Sequence, residues 1–307
     1  MPAQVTHFLQ SNDVCDKLNI SGDYRQAVAL GALGPDFLYY HKLFSDDERF
    51  RKAGVQLHEL SANRIFSAFA EYIINHPENE FAIYYAYGFL CHYALDSTAH
   101  PFVYFVQNTI IKAENNRKKP FFTHVRIEHF LDVIMLRDKR DCSVGQFGLK
   151  NCVPNNTDVL SAVGDVCAFV LPRLFDDFEI TAKQCEKAFL STRRYLGLAN
   201  DRSGIKRFFV RIFETLCFMP HTVSYFLHPF MEDGEWDYSN YEKAEWIDEN
   251  SDTPHDESFF ELYDKSVNLS TDLCKEFMEF VNSRNCDIQF THNYDMKGRK
   301  NEKDSKF

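Results

Sequence analysis

The stretch YGFLCHYALDSTAHPF, residues 87–102, sets His92, Asp96 and His100 at positions i, i+4 and i+8. On an α-helix each step of four residues turns only about 40° past a full rotation, so the three side chains share one face. With a rise of roughly 1.5 Å per residue, His92 and His100 stand about 12 Å apart along the axis. Zinc ligands lie about 2 Å from their ion, so the two imidazoles do not easily share one metal. The spacing instead predicts two metal positions strung along a helix, with the Asp96 carboxylate between them to bridge. Two imidazoles and an acid on one face are costly to bury without a partner.

The same helical period runs outward from this stretch. Apolar positions recur at three- and four-residue spacing over 46–75, over 78–113 as one long helix or two with Pro101 as the expected break or kink, and over 121–136, 159–175, 181–195, 203–227 and 258–281. No alternating run longer than a few residues predicts a strand, and 12 Gly with 10 Pro are too few for a turn-dense β chain. The expected fold class is all-α. Ranges 138–156 and 231–256 read as polar, turn-rich connections, and Asp46, Asp47 and Glu48 as favourable charge on a first helical turn. The expected organisation is a helical domain over 1–230, a helical extension over 231–292 packed on the same domain, and a disordered charged tail over 293–307.

A balance of 45% apolar and 26% charged residues predicts a folded chain rather than a disordered one. The 34 Lys and Arg stand against 45 Asp and Glu, a net charge of −11 that argues against broad nucleic-acid binding, which needs clustered cations. The start, MPAQVTHFLQSNDV, shows no basic region followed by an apolar one. The longest apolar run, Phe81 to Leu95, is interrupted by Gly88 and His92 and is shorter than the roughly 20 residues that span a bilayer. A soluble, cytoplasmic protein is expected. Nine cysteines, an odd number with no C-x-x-C pair, predict free thiols and no cysteine-based zinc site.

A second ligand pair, His124 and Glu128 in HVRIEHF, again stands at i and i+4. With His100 from the neighbouring helix it supplies three N/O ligands and leaves a fourth position for water, the pattern of a catalytic zinc. His58 lies on the helix containing LHELSANRIF, Asp36 follows a helix-ending Gly-Pro in GPDF, and His7 lies close to the start. His129 points about 100° away from Glu128 and reads as packing or as support for a ligand. His41 reads as structural, and His76, His221, His228, His255 and His292 have no partner at ligand spacing. Phe81, Tyr84, Tyr85, Tyr87 and Phe89 read as core. Arg117, Lys118 and Lys119 read as a solvated loop, with a transient membrane-surface contact as the functional alternative.

In this order, a His near the start, Gly-Pro-Asp, a His on the next helix, H-x-x-x-D with a further His, then H-x-x-x-E, the residues resemble the zinc-dependent phospholipase C family. Its members include secreted bacterial phosphatidylcholine-hydrolysing enzymes and clostridial alpha-toxin, and zinc nucleases of single-stranded nucleic acid share the ligand layout. The resemblance covers roughly residues 1–230. It implies that Asp36, His58, His92 and Asp96 hold one zinc, that His100, His124 and Glu128 hold a second, and that His7 and a bridging Asp96 contribute to a third, with Asp36 also the general base. Secreted members complete the third site with an N-terminal Trp; here the Pro2 amine, after loss of Met1, would have to substitute. The family's histidine after the Asp lies farther along the helix, whereas here it follows four residues on.

The function implied is a metal-dependent phosphodiester hydrolase of the phospholipase C type, with a zinc-activated water attacking a phospholipid or related phosphodiester and two or three zinc ions per chain. Three zinc ions would carry +6 against −3 from Asp36, Asp96 and Glu128, and two would still leave an excess of +1, so an acidic protein can present a cationic pocket to a phosphodiester. One alternative is a nuclease-like phosphodiesterase on single-stranded nucleic acid or nucleotides, disfavoured by the acidic surface and the lack of interleaved Arg and aromatic residues. The other is a non-catalytic zinc-binding helical protein.

Overall fold

In the computed structural model, which describes residues 4–41, 48–115, 120–176, 178–218, 223–229, 231 and 234–300, the chain is all-α apart from one short hairpin. In order come α1 (Gln4–Lys17), α2 (Gly22–Gly31), a 3-10 turn (Gly34–Tyr40), α3 (Arg49–Leu57), α4 (Ala62–Asn75), α5 (Phe81–Ala113), α6 (Pro120–Arg140), α7 (Val144–Phe147), a 3-10 turn (Leu149–Cys152) and α8 (Thr157–Leu174). Then follow α9 (Ala182–Ala199), α10 (Ile205–Leu216), a 3-10 turn (Ser224–Phe226), the antiparallel pair β1 (Trp246–Asp248) and β2 (Thr253–His255), and α11 (Phe259–Asn282).

α5 is apolar around most of its circumference from Tyr85 to Val103, so it has no face to leave in water and becomes the axis of the core. α2 and α11 pack along it, and α1, α4, α6 and α8 complete the surround. The α2–α5 crossing is unusually close. A Cβ on Gly88 would lie 2.0 Å from the Val28 carbonyl oxygen, and one on Gly31 would lie 2.1 Å from that of Tyr85, so only glycine fits on either side. This contact brings the chain after α2 onto the face of α5 that carries His92.

Several boundaries differ from those predicted. The helix continues through Pro101, whose flanking residues His100, Phe102 and Val103 are buried by neighbouring elements. Tertiary packing outweighs the one hydrogen bond that proline removes. The single helix predicted over 46–75 is two, α3 and α4. Between them the Ser61 side chain caps α4 by accepting from the Arg64 N–H, and the His58 carbonyl is taken by the Met296 N–H at 3.1 Å. The connection over 138–156 contains α7 and a 3-10 turn, that over 231–256 contains the hairpin, and α10 stops at Leu216.

The disordered tail predicted from 293 is corrected for residues 293–300. Asp295 and Met296 are buried, and the Ala62 N–H donates to the Tyr294 carbonyl at 3.2 Å. Backbone hydrogen bonds, invisible in composition, anchor this polar segment. Residues 301–307 lie outside the described residues, as do the sites of the readings made for Pro2, Asp46, Asp47, Arg117, Lys118, Lys119 and His221. All nine cysteines are free thiols. Among the described residues no helix is long and apolar enough to cross a membrane.

Candidate metal centre

Five segments bring the predicted donors together, His58 coming from the C-terminal end of α3 rather than from the helix that holds ANRIF. α5 supplies His92, Asp96 and His100 from one face, and α6 supplies His124 and Glu128. The 3-10 turn after α2 supplies Asp36. Its first residue, Gly34, has φ +53°, and a Cβ there would lie 2.2 Å from Cδ2 of His92, so glycine lets the turn lie flat against that imidazole. α1 supplies His7. The start of α1 is pinned by the buried Asp132 carboxylate, which accepts from Val5 N at 3.3 Å, Thr6 N at 2.8 Å and Thr6 Oγ1 at 2.7 Å. An anion at a helix N-terminus is favourable electrostatically and satisfies otherwise orphaned donors.

All eight predicted residues fall into three groups whose donor atoms lie within 4.8 Å of one another: Asp36, His58 and His92; His7, His92 and Asp96; His100, His124 and Glu128. Asp96 stands at the junction. Its Oδ2 lies 3.1 Å from His92 Nε2 and 3.9 Å from His58 Nε2, while Oδ1 lies 3.2 Å from His7 Nε2 and 3.8 Å from His100 Nδ1. Asp36 Oδ1 is 3.4 Å from His58 Nε2. In the third group Glu128 Oε1 is 3.1 Å from His124 Nε2 and 3.7 Å from His100 Nε2. The His7 and His92 rings stack at 4.1 Å.

The chemistry of the donor set fits a cation. Four imidazoles have Nδ1 against an oxygen acceptor: His58 on the Gly54 carbonyl at 2.7 Å, His92 on Ala32 at 3.1 Å, His100 on Met296 at 2.6 Å, and His124 on the Gln107 side chain at 2.9 Å. Donation from Nδ1–H fixes the tautomer and turns each Nε2 lone pair towards the carboxylates, the usual support of a metal-bound histidine. Lone pairs facing carboxylate oxygens require either protons or a metal between them. Neither Asp36 Oδ1 nor His92 Nε2, both buried, has a hydrogen bond.

Electrostatics follow from this crowding. Burial opposes ionisation of Asp36, Asp96 and Glu128, yet the surrounding imidazoles outweigh it. Asp36 beside His58 is lowered, and Asp96 beside His100 and His92 and Glu128 beside His124 and His100 are held well below the carboxylate range. Burial opposes the charged form of His100, but Asp96 and Glu128 raise it to about 9. Burial lowers His124 despite Glu128.

Asp36, His58, Asp96, His100, His124 and Glu128 line a cavity of about 510 Å³, with His7 and His92 behind them. Tyr39, Tyr104 and Phe121 line it beside the donors, and Arg51 and Lys297 stand at its wall, ion-paired with Glu48 and Glu59 respectively. Burial pushes the hydroxyls of Tyr39 and Tyr104 upward, with the nearby carboxylates adding to the shift, so both remain protonated donors. Sequence reasoning missed these tyrosines and Gln107, although Gln107 sits seven residues after His100, two turns along the same helical face. The supporting carbonyls of Ala32, Gly54 and Met296 have no signature in side-chain identity.

The remaining described histidines lie apart from the three groups. His129 stacks on His228 at 3.8 Å, and His228 Nε2 bonds Asp132 at 3.2 Å. His41 packs on Phe50, His76 on Tyr72 and His255 on Trp246, while His292 Nε2 meets Ser97 Oγ at 3.2 Å.

An all-helical scaffold whose axial helix and neighbours aim imidazoles and carboxylates into one cleft defines a class of helical proteins with side-chain clusters able to hold metal ions. Within that class the sequence model of the family described as zinc dependent phospholipase C matches residues 6–173, more than half of the chain, and the protein belongs to this family. Comparison with curated proteins and with solved structures returned no match.

Proposed function

We propose that this chain is a zinc-dependent hydrolase of phosphodiester bonds whose substrate is a phospholipid or a related phosphodiester. The observation that carries the reading is Asp96, whose two oxygens face separate sets of imidazoles at the floor of one open cavity. In this reading Asp36, His58, His92 and Asp96 hold one ion, and His100, His124 and Glu128 a second. His7 and Asp96 contribute to a third. His92 belongs with Asp36 and His58, because its Nδ1 is engaged by Ala32 and one nitrogen serves one ion. Bound zinc supplies Lewis acidity, polarising a phosphoryl oxygen and making water acidic enough to attack near neutral pH.

The chain's own groups do the rest. Asp36, held ionised among imidazoles, accepts a proton from the attacking water. Tyr39 and Tyr104 keep their protons and donate to oxygens of the bound diester. Phe121 and Val55 give the cavity an apolar side against which the lipid's glycerol end rests. The cavity lies within the size range of small-molecule sites and exceeds what a lone phosphate needs.

Metal analysis of the purified protein should return two or three zinc ions per chain, and a metal-free protein that takes up none would end the proposal. With zinc bound, a chromogenic phosphocholine diester should be cleaved and single-stranded DNA should not; the reverse preference would transfer the site to nucleic acid. His92→Ala and Glu128→Ala should each lose metal and turnover together. Bound zinc with no turnover on any diester would leave a zinc-binding protein without this activity.

A further inference from the structure

α10, IKRFFVRIFETL, is amphipathic in the wrong sense for a helix packed on a core. At 100° per residue, Ile205, Phe208, Phe209, Ile212, Phe213 and Leu216 fall within an arc of about 140°. That arc faces solvent: Phe208, Phe209 and Phe213 are 60%, 62% and 60% exposed, and Leu216 is 73% exposed. The helix's one acid, Glu214, is turned the other way, is buried, and accepts from the Val223 and Ser224 N–H groups at 2.7 and 3.3 Å. Exposed Lys206 and Arg211 stand at the two edges of the apolar arc. Lys206 reaches the Leu198 and Asn200 carbonyls at 2.8 Å and remains on the surface.

We infer that α10 is a membrane-surface helix that seats this protein on anionic lipid, with its phenylalanines in the acyl boundary and its flanking cations among the head groups. Charge carries the choice of occupant. On a chain of net charge −11, α10 sets exposed Lys206 and Arg211 on either side of an outward apolar stripe, exposed Arg202 just precedes it, and the helix carries no exposed acid. That is the composition of an interfacial helix. A second copy fits less well: both edges of the stripe are cationic, so pairing α10 with itself sets like charges against each other along both borders.

Position agrees with charge. α10 contacts the Ser224–Phe226 turn, which also touches α6. Phe226 lies 6.5 Å from the ring of Phe121 and 6.4 Å from that of Phe122, and half-exposed Phe121 lines the cavity over the candidate metal centre. α10, through Glu214, and the cavity rim, through Phe121, thus pack against the same short turn. In purpose the inference rests on the phospholipid reading of that centre, but its test does not.

The test is sedimentation of chelator-treated full-length protein with phosphatidylcholine vesicles, with and without phosphatidylserine. Binding should appear with the anionic vesicles, weaken at high salt, and weaken roughly fivefold for each of Lys206→Ala and Arg211→Ala. The exposed-site variant Phe208→Ser/Phe209→Ser/Phe213→Ser should lose it while keeping the wild-type urea midpoint and, with zinc restored, the wild-type rate on a soluble diester. No binding to anionic vesicles, or binding that survives the triple substitution, overturns the inference. So does a wild-type dimer that the triple substitution dissociates without any vesicle binding. Because chelated protein is used, absence of catalysis leaves this readout intact.

Discussion

Gly34 holds φ +53° with the His92 ring directly over its α-carbon. Gly34→Ala adds left-handed strain and a clash, together about 3 kcal/mol. It should lower the thermal midpoint and displace His92, and metal analysis should show the loss of one zinc; unchanged stoichiometry would mean that the turn relaxes freely. Asp132 is buried with four contacts, three to the start of α1 and one to His228. Asp132→Ala leaves those donors unsatisfied and should cost about 3–5 kcal/mol by urea unfolding. At this scale sequence reading reached far: the i, i+4 spacings on α5 and α6 placed five donors on their faces because an α-helix permits little else. It did not reach Asp132, whose role depends on the approach of α1 from 126 residues away.

α5 works as an axis only because α2 lies almost in backbone contact with it at Gly31 and Gly88. Gly88→Ala should force the pair apart and cost about 3 kcal/mol, read as a shift in the urea midpoint without a change in far-ultraviolet helicity. The segment 288–300 is the least legible element, being polar and short, and it supplies Met296, whose backbone binds both His58 and His100. A chain ending at residue 287 should hold zinc more weakly at the His100 cluster, by about 10–100-fold in competition with a chromogenic chelator. Equal affinity would show that the Met296 carbonyl is dispensable. Periodicity located the long helices after residue 46 but assigned no range to α1 or α2, and it misjudged where helices stop, at 58–61 and beyond 216, since capping residues and distant hydrogen bonds set those limits.

For the molecule as a whole, metal bound by the three carboxylates and five imidazoles gathered in one cleft would be coupled to stability. Ligand that binds only the folded state stabilises it by mass action, about 3–4 kcal/mol per site at strong excess. Chelation should therefore lower the thermal midpoint by several degrees, and added zinc should restore it. A midpoint indifferent to chelator would argue that the donors are satisfied by protons alone. The all-α class was readable from the 3.6-residue period, and the family from the order of its donors. The close packing that converts a list of donors into a centre was not, because it resides in glycine contacts and carbonyl directions.

The bond between His100 and Met296 spans 196 residues. During synthesis the imidazoles emerge first and wait, unoriented, while the rest of the polypeptide leaves the ribosome. The finished cage is thus a late event of biogenesis, since the last support of His100 can form only after residue 296 has been made.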